Sequence, residues 1–149
     1  MEFKFSSINE DDLVGCSELY VSTFRESPWY EDWNIEDAFE RLSDFHANPK
    51  SVSIKAMRDG VICGFIFGKT QQWNGAMYYD LEEMCVSSYF RRQGVGTSLF
   101  GKLEDALTEI GVSRIYLVTQ RESVPSSFYS ALGFSENQSL MIMGKNTGS

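Results

Sequence analysis

The 149-residue sequence is most informative at Met84-Cys85-Val86-Ser87-Ser88-Tyr89-Phe90-Arg91-Arg92-Gln93-Gly94-Val95-Gly96-Thr97. This segment predicts a strand that ends at Val86, a loop with two arginines and two glycines, and a helix that begins near Val95. Glycines let the backbone turn tightly, and free N–H groups at a helix start favour an anion such as a pyrophosphate. The arginines would add charge-assisted contacts. The loop is not a Walker loop, which needs Gly-Lys-Ser/Thr. It is not a dinucleotide fingerprint either, because only Gly94 and Gly96 of the required glycines are present.

Helix-like and strand-like patterns alternate on both sides of this segment. Asn9 and Asn34 are predicted to cap two helices, which end near Phe24 and before Pro49. Asp59-Gly60 predicts a two-residue hairpin turn. After a short extended start, the pattern predicts strands at 52–56, 61–71, 77–86, 115–119 and 140–143, and helices at 95–110 and 124–132. Three antiparallel strands followed by strand, helix and strand predict a mixed α/β (α+β) sheet with one parallel crossover.

Charge and hydropathy exclude several classes of protein. Thirteen Lys and Arg against 21 Asp and Glu give a net charge of −8. Such an acidic chain lacks the positive surface that nucleic acids or anionic membranes require. No apolar run approaches the roughly 20 residues of a membrane span, and the N-terminus does not resemble a signal peptide. We therefore expect a cytoplasmic protein that binds neither nucleic acid nor membrane.

The length and the cysteine content limit the architecture further. A chain of 149 residues with 42% hydrophobic content predicts one globular domain over 1–149, with a polar tail at 146–149. Cys16, Cys63 and Cys85 are odd in number and widely spaced, so we expect reduced thiols and no metal site. His46 is the single histidine, which excludes any mechanism that needs two.

Two motifs together resemble the GNAT N-acetyltransferase superfamily. Arg91-x-x-Gly94-x-Gly96, after a strand that ends at Val86, resembles its acetyl-coenzyme A (acetyl-CoA) loop. Phe128-Tyr129-Ser130-Ala131-Leu132-Gly133-Phe134 is similar to its C-terminal Tyr-x-x-x-Gly-Phe element. The motifs occur in the usual order and separation, and the resemblance covers about 81–134. It implies an acetyl-CoA core at 77–134 and an acceptor side, formed by a strand and two helices, at 1–50.

The resemblance implies a twisted, mostly antiparallel sheet with helices on both faces. The strand that ends at Val86 and the strand at 115–119 would splay apart and leave a V-shaped gap for the pantetheine arm of acetyl-CoA. Pantetheine would bond to main-chain groups of the first strand, pyrophosphate would bind the loop amides, and 123–127 would line the other side of the cofactor. The cofactor-binding residues so implied are Met84, Val86, Arg91, Arg92, Gln93, Gly94, Val95, Gly96, Thr97, Ser123 and Ser126.

Acetyl transfer from a thioester to an amine needs an acid for the departing thiolate and a base for the amine. By resemblance the acid is Tyr129; the alternative is a helix tyrosine packed on the sheet. Leu81-Glu82-Glu83 resembles the Leu-Glu-Asp stretch of polyamine acetyltransferases, in which the glutamate is the proposed base, so Glu82 is the first candidate. Glu83 is the second, and Asp80 is the third because histone-type members carry their base there.

Strand alternation predicts which side chains share a face. A period of two puts Glu82 with Met84 and Val86, and puts Glu83 on the opposite face.

Cys85 could form an acetyl-cysteine intermediate. However, no histidine lies near it in sequence, and the superfamily transfers acetyl groups directly.

The linker Glu26-Ser27-Pro28-Trp29-Tyr30-Glu31-Asp32-Trp33-Asn34 combines three aromatic rings with three acids. By resemblance this region shapes the acceptor site, and aromatic faces with carboxylates suit a cation. The candidate acceptor-binding residues are Trp29, Glu31, Asp32, Trp33 and Glu83. The alternative is that Trp29 and Trp33 hold the inter-helix turn on the sheet while the acids are solvated.

Three functions are compatible with these features. The leading hypothesis is an acetyltransferase that acts on a small cationic amine, such as a polyamine or an amino sugar. The second is acetylation of a protein N-terminus or lysine. The third is a CoA-binding module without turnover, against which Tyr129 and the strand acids argue. A homodimer is possible, since superfamily members are often dimers.

Overall fold

The computed structural model describes residues 2–148 and forms a mixed α/β fold. The strands are β1 Lys4–Ser7, β2 Ile54–Arg58, β3 Val61–Trp73, β4 Ala76–Val86 and β5 Val112–Tyr116. The α-helices are α1 Leu13–Arg25, α2 Ile35–Ala47, α3 Val95–Glu109 and α4 Val124–Ala131. Contacts divide the chain into two compact units, Met1–Val118 and Thr119–Ser149. The first unit holds the sheet and α1 to α3, and the second holds α4.

The described sheet has the strand order β1-β2-β3-β4-β5. Its first four strands pair antiparallel, and β4 and β5 are parallel because α3 crosses between them. Asp59-Gly60 and Asn74-Gly75 form the two hairpin turns, with both residues of each turn at positive φ. This geometry suits the right-handed twist of two-residue hairpins. The predicted mostly antiparallel sheet with one parallel crossover is confirmed.

Helix α2 begins where the sequence predicts, whereas α1 begins at Leu13, a few residues after the predicted cap Asn9. Asn34 accepts a hydrogen bond from the Asp37 amide at 2.8 Å and caps α2. Asn9 stands before a short 3-10 turn that leads into α1, and its amide donates to Asp12 Oδ2 at 2.7 Å.

Lys55 Nζ also donates to Asp12 Oδ2, at 2.5 Å, and both side chains are largely buried. Burial alone would raise the pKa of Asp12, but the Lys55 and Asn9 hydrogen bonds and the nearby positive charges outweigh it and lower that pKa.

Helices cover both faces of the sheet in the first unit. Phe65 and Phe67 of β3 belong to the core cluster formed with α1 and α2. Gly64 faces the other way, where a side chain would meet Leu99 of α3 at 3.5 Å. Leu99 and Leu103 of α3 are fully buried. Because β3 is covered on both faces, it reads as a continuous apolar run instead of an alternating one.

Two strand predictions need correction. β5 is Val112–Tyr116 and not 115–119, because Gly111 ends the preceding turn at φ +92° and the strand starts directly after it. The strand predicted at 140–143 is wrong: these residues are 65–84% exposed and unpaired within the part of the chain the structure describes. Four apolar residues form a strand only where a neighbour supplies the ladder hydrogen bonds. Ser149, the end of the predicted polar tail, lies outside the described residues.

Candidate active site

The loop between β4 and α3 leaves the start of α3 open. Arg92 and Gly94 have φ values of +65° and +77°, in the left-handed region. No side chain caps α3 at Gly94, and a Cβ built there meets no atom within 4 Å. The first intrahelical bond runs from the Ser98 amide to the Gly94 carbonyl at 2.9 Å. The three preceding amides of the helix therefore have no intrahelical acceptor and can bind an anion.

One side of this loop is fixed to β2. Arg58 Nη1 donates to Gln93 Oε1 at 3.3 Å, and Gln93 Nε2 donates to the Tyr89 carbonyl at 3.4 Å. The Arg58 guanidinium lies 5.1 Å from the ring centre of Phe3 and 5.8 Å from that of Phe90. The side chain of Gln93, a predicted cofactor-binding residue, thus orders the loop, which leaves its main-chain amide as the group available to a ligand.

Within the described residues, the C-terminal half of β4 pairs with another strand along one edge only. Pairing between β4 and β5 ends at Asp80 and Tyr116, whereas pairing with β3 continues to Val86. In a ladder, alternate residues point their N–H and C=O groups to opposite edges. Some main-chain groups of 81–86 therefore face away from β3 with no β5 partner, as the predicted splay requires. Met84 and Val86 lie in this stretch.

A register shift in β4 changes the predicted alternation. Glu83 pairs with Phe67 and Leu81 pairs with Gly68, so Glu82 is an extra residue opposite no partner in β3. Its carboxylate lies 4.0 Å from Lys69 Nζ. Lys69 shares the face of Phe67, because β3 itself has no extra residue. The prediction that Glu82 lies on the opposite face from Glu83 is therefore wrong, since the period of two breaks at Glu82.

Glu83 is partly buried and has two hydrogen-bond partners, one on α1 and one on α2. Its Oε2 accepts hydrogen bonds from Tyr20 Oη at 3.1 Å and from Arg41 Nε at 3.2 Å. Burial raises the pKa of Glu83, and the Arg41 charge and the two hydrogen bonds only partly oppose this. Burial and the neighbouring Glu83 charge likewise raise the pKa of Tyr20. Glu83 thus anchors α1 and α2 to the sheet.

The third candidate base, Asp80, is engaged within the sheet. Gln71 Nε2 donates to Asp80, and Tyr78 Oη donates to Gln71 Oε1 at 3.2 Å. Sequence reasoning missed Gln71 and Lys69 as partners of the strand acids. The signal was present, since both alternate along β3 with Phe67 on one face.

The linker tryptophans are packed and not free. The edge of Trp33 meets Tyr20 with ring centres 5.0 Å apart, and Trp33 Nε1 donates to Glu31 Oε1 at 2.7 Å. Trp29 meets Phe24 in the same way at 4.9 Å. These contacts favour the interpretation that the tryptophans hold the inter-helix turn.

The same linker also contacts the loop before α3. The Arg91 guanidinium lies 5.6 Å from the ring centre of Trp29. Ser88 Oγ donates to Glu26 Oε2 at 3.2 Å. Glu31 and Asp32 are exposed. The segment therefore presents two acids to solvent and ties one arginine of the loop to the core.

The structure shows the surroundings of the cysteines and of the side chains that could bind a metal ion. Burial raises the pKa of Cys85, and likewise that of Cys16, to about 12, so little thiolate forms at neutral pH. All three cysteines are free and buried. Among residues 2–148, no three His, Cys, Asp or Glu side chains are grouped to hold a metal ion.

The second unit contains the remaining predicted site residues. Ser123 Oγ accepts from the Ser126 amide at 3.1 Å, and Ser126 Oγ accepts from the Ser123 amide at 2.9 Å. This reciprocal pair caps α4. Tyr129 is partly buried, with its ring 5.4 Å from Phe128 and 5.6 Å from Phe134.

The fold and the family model agree on a class of protein. Residues 10–134 match the model of the Acetyltransferase (GNAT) family. The chain belongs to this family and is an N-acetyltransferase. No curated protein sequence matches it significantly. Of the described helices, none combines the length and the hydropathy needed to cross a membrane.

Solved structures share the fold at low sequence identity. A possible acetyltransferase from Clostridium difficile 630 is 12% identical, with a TM-score of 0.83 over 99% of both chains. Aminoglycoside N-acetyltransferase AAC(6')-Iy, solved with the bisubstrate analogue CoA-S-monomethyl-acetylneamine, is 22% identical, with a TM-score of 0.75 over 99% of this chain and 100% of the other. A ribosomal-protein-alanine N-acetyltransferase from Brucella melitensis biovar Abortus 2308 is 14% identical, with a TM-score of 0.77 over 97% and 100%.

Proposed function

We propose that the protein transfers an acetyl group from acetyl-CoA directly to a primary amine of a small cationic molecule, such as a polyamine or an amino sugar. The observation that carries the proposal is the free backbone edge of 81–86, which leads into the uncapped start of α3. An extended amide-containing arm fits a strand edge, and a pyrophosphate fits a helix start. The CoA ligand of AAC(6')-Iy, which shares the fold, supports the same cofactor.

The chain's own groups fit acetyl-CoA at its two polar parts. Main-chain groups of Met84 and Val86 would bind pantetheine, and the amides from Arg92 to Thr97 would bind the pyrophosphate. The exposed guanidiniums of Arg91 and Arg92 would add charge. When bound, acetyl-CoA supplies a thioester carbonyl that a neutral amine can attack, with the CoA thiolate as leaving group.

Glu82 is the proposed base because it is the least engaged of the three strand acids. Glu83 accepts hydrogen bonds from Tyr20 and Arg41, and Asp80 accepts a hydrogen bond from Gln71. Among the described residues, the only ion pair of Glu82 is with Lys69 at 4.0 Å, and the Glu82 side chain is 23% exposed. It would take the proton that the amine loses as the C–N bond forms.

Tyr129 is the proposed acid. Its hydroxyl would protonate the thiolate as the C–S bond breaks, and it would regain a proton from solvent. The assignment depends on the Phe128-Tyr129-Ser130-Ala131-Leu132-Gly133-Phe134 motif. The neighbouring rings fix the orientation of the tyrosine ring within α4 and its following turn.

The acceptor class is inferred from the charge of the linker. Glu31 and Asp32 are exposed beside the indole of Trp33, which suits attraction of an ammonium group. Arg41 already pairs with Glu83 and lies 6.0 Å from the Trp33 ring centre, so part of this carboxylate and aromatic surface is occupied by the chain's own cation. The exposed acids are therefore the better candidates for drawing in substrate.

An amine panel tests the proposal. Spermidine, a deoxystreptamine amino sugar, an N-terminal alanine peptide and a lysine peptide are incubated with acetyl-CoA, and free CoA thiol is followed. Turnover with spermidine or the amino sugar supports the proposal. Turnover with the peptides alone would instead favour a protein acetyltransferase.

A further inference from the structure

The acceptor-side linker and the loop before α3 are joined at two independent points. Arg91 lies over the Trp29 ring at 5.6 Å, and Ser88 donates to Glu26 at 3.2 Å. The linker connects α1 and α2, whereas the loop connects β4 and α3. Residues about 60 positions apart in sequence therefore hold one another in place.

The contact with Trp29 leaves Arg91 able to bind an anion. A guanidinium attracts an indole through its flat face, whereas its N–H donors lie in its plane and point outward. The contact thus limits the orientations of an exposed, flexible side chain, and the Arg91 guanidinium donates no hydrogen bond within the described residues. Trp29 itself is held by the edge contact with the buried Phe24 at 4.9 Å. The core thereby restricts the position of the Arg91 guanidinium, in the loop that leads into α3.

We propose that Trp29 is a positioning residue for cofactor binding, which acts by orienting Arg91 toward the pyrophosphate of acetyl-CoA. The inference rests on the proposed function, because it needs acetyl-CoA as the ligand. It gives Trp29 a role on the cofactor side instead of the predicted contact with the acceptor amine. A cation–π contact at an exposed site corresponds to roughly a two- to fivefold effect on affinity.

The test is a double-mutant cycle on Trp29 and Arg91. Calorimetry measures the dissociation constant of acetyl-CoA for wild type, Trp29→Leu, Arg91→Met and the double variant. Leucine keeps an apolar group against Phe24 but removes the aromatic face, and Trp29→Phe restores a face. Trp73→Leu is the matched control, because Trp73 is 70% exposed and has no cation–π partner among the described residues. Melting temperatures establish that each variant is folded.

We expect Trp29→Leu to weaken acetyl-CoA binding roughly two- to fivefold with Arg91 present and not at all with Arg91→Met. Trp29→Phe should recover most of the loss, and Trp73→Leu should match wild type. If Trp29→Leu weakens acetyl-CoA binding equally with Arg91 and with Arg91→Met, or weakens it in neither, the positioning role is overturned. In that case the binding of acetyl-CoA by wild type still supports the proposed function. Failure of wild type to bind acetyl-CoA would overturn the proposed function and this inference together.

Discussion

Gly94 gives the sharpest test of the cofactor loop, because charge can be changed there at almost constant shape. Gly94→Asp and Gly94→Asn add side chains of equal size at φ +77°, and the surrounding space is open. Asn and Asp tolerate left-handed backbone better than other residues, and both can cap a helix. We expect each variant to lose about 1 kcal/mol of folding stability. Only the aspartate places a negative charge beside the amides of α3.

The size of the charge effect follows from Coulomb's law. A carboxylate about 5 Å from a phosphate, at an effective dielectric constant between about 20 and 80, costs about 1–3 kcal/mol. Gly94→Asp should therefore bind acetyl-CoA roughly five- to 150-fold more weakly than Gly94→Asn, measured by calorimetry at low salt. Acetyl-pantetheine, which lacks the pyrophosphate, should not distinguish the two variants. Equal affinity of both folded variants for acetyl-CoA would refute the assignment of this loop to the pyrophosphate.

Four further sets of substitutions test the remaining roles. Tyr129→Phe should lower kcat roughly 100-fold with little change in acetyl-CoA affinity, and wild-type turnover would leave this tyrosine a packing role only. Glu82→Gln should depress kcat and shift the pH optimum upward in a pH–rate profile; an unchanged profile would remove Glu82 as the base. Neutralising Glu31 and Asp32 should raise the KM for a cationic amine more than it lowers kcat, and this effect should be smaller at high salt. An unchanged KM at low salt would mean that the linker has a structural role only. Asp12→Asn should cost about 3 kcal/mol or more at pH 7, because it leaves a buried lysine unpaired. The folded pKa of Asp12 lies below its unfolded value of about 3.9. The stability advantage of wild type over Asp12→Asn is therefore present above about pH 4 and is lost as the pH falls through the folded pKa. Chemical denaturation at several pH values measures this, and a stability difference that does not shrink at low pH would contradict the ion pair.

The antiparallel pairing of β2, β3 and β4 was predictable because local signals mark the turns between them. Asp59-Gly60 adopts the left-handed turn that its composition predicts, and Asn34 caps α2 through its side chain. The loop from Arg91 to Gly94 was also predictable, since glycine at positive φ before a helix is a local backbone property. These features depend on neighbours in sequence.

Features that depend on distant partners were not predictable. The register shift at Glu82 arises from pairing with Phe67 and Gly68, and a period of two contains no signal for it. The pairing of Glu83 with Tyr20 and Arg41 joins three elements that are far apart in sequence. Apolar composition at 140–143 predicted a strand, but composition does not specify a partner.

The central claim is acetyl transfer from acetyl-CoA to a small cationic amine, and mass spectrometry of the amine tests it most directly. Wild type is incubated with acetyl-CoA and spermidine or an amino sugar, and acetylated amine and free CoA thiol are quantified together. The account predicts that the two products form in equal amounts and that Tyr129→Phe slows both equally. Protein that binds acetyl-CoA but releases no acetylated small amine, or acetylates only peptides, would contradict it.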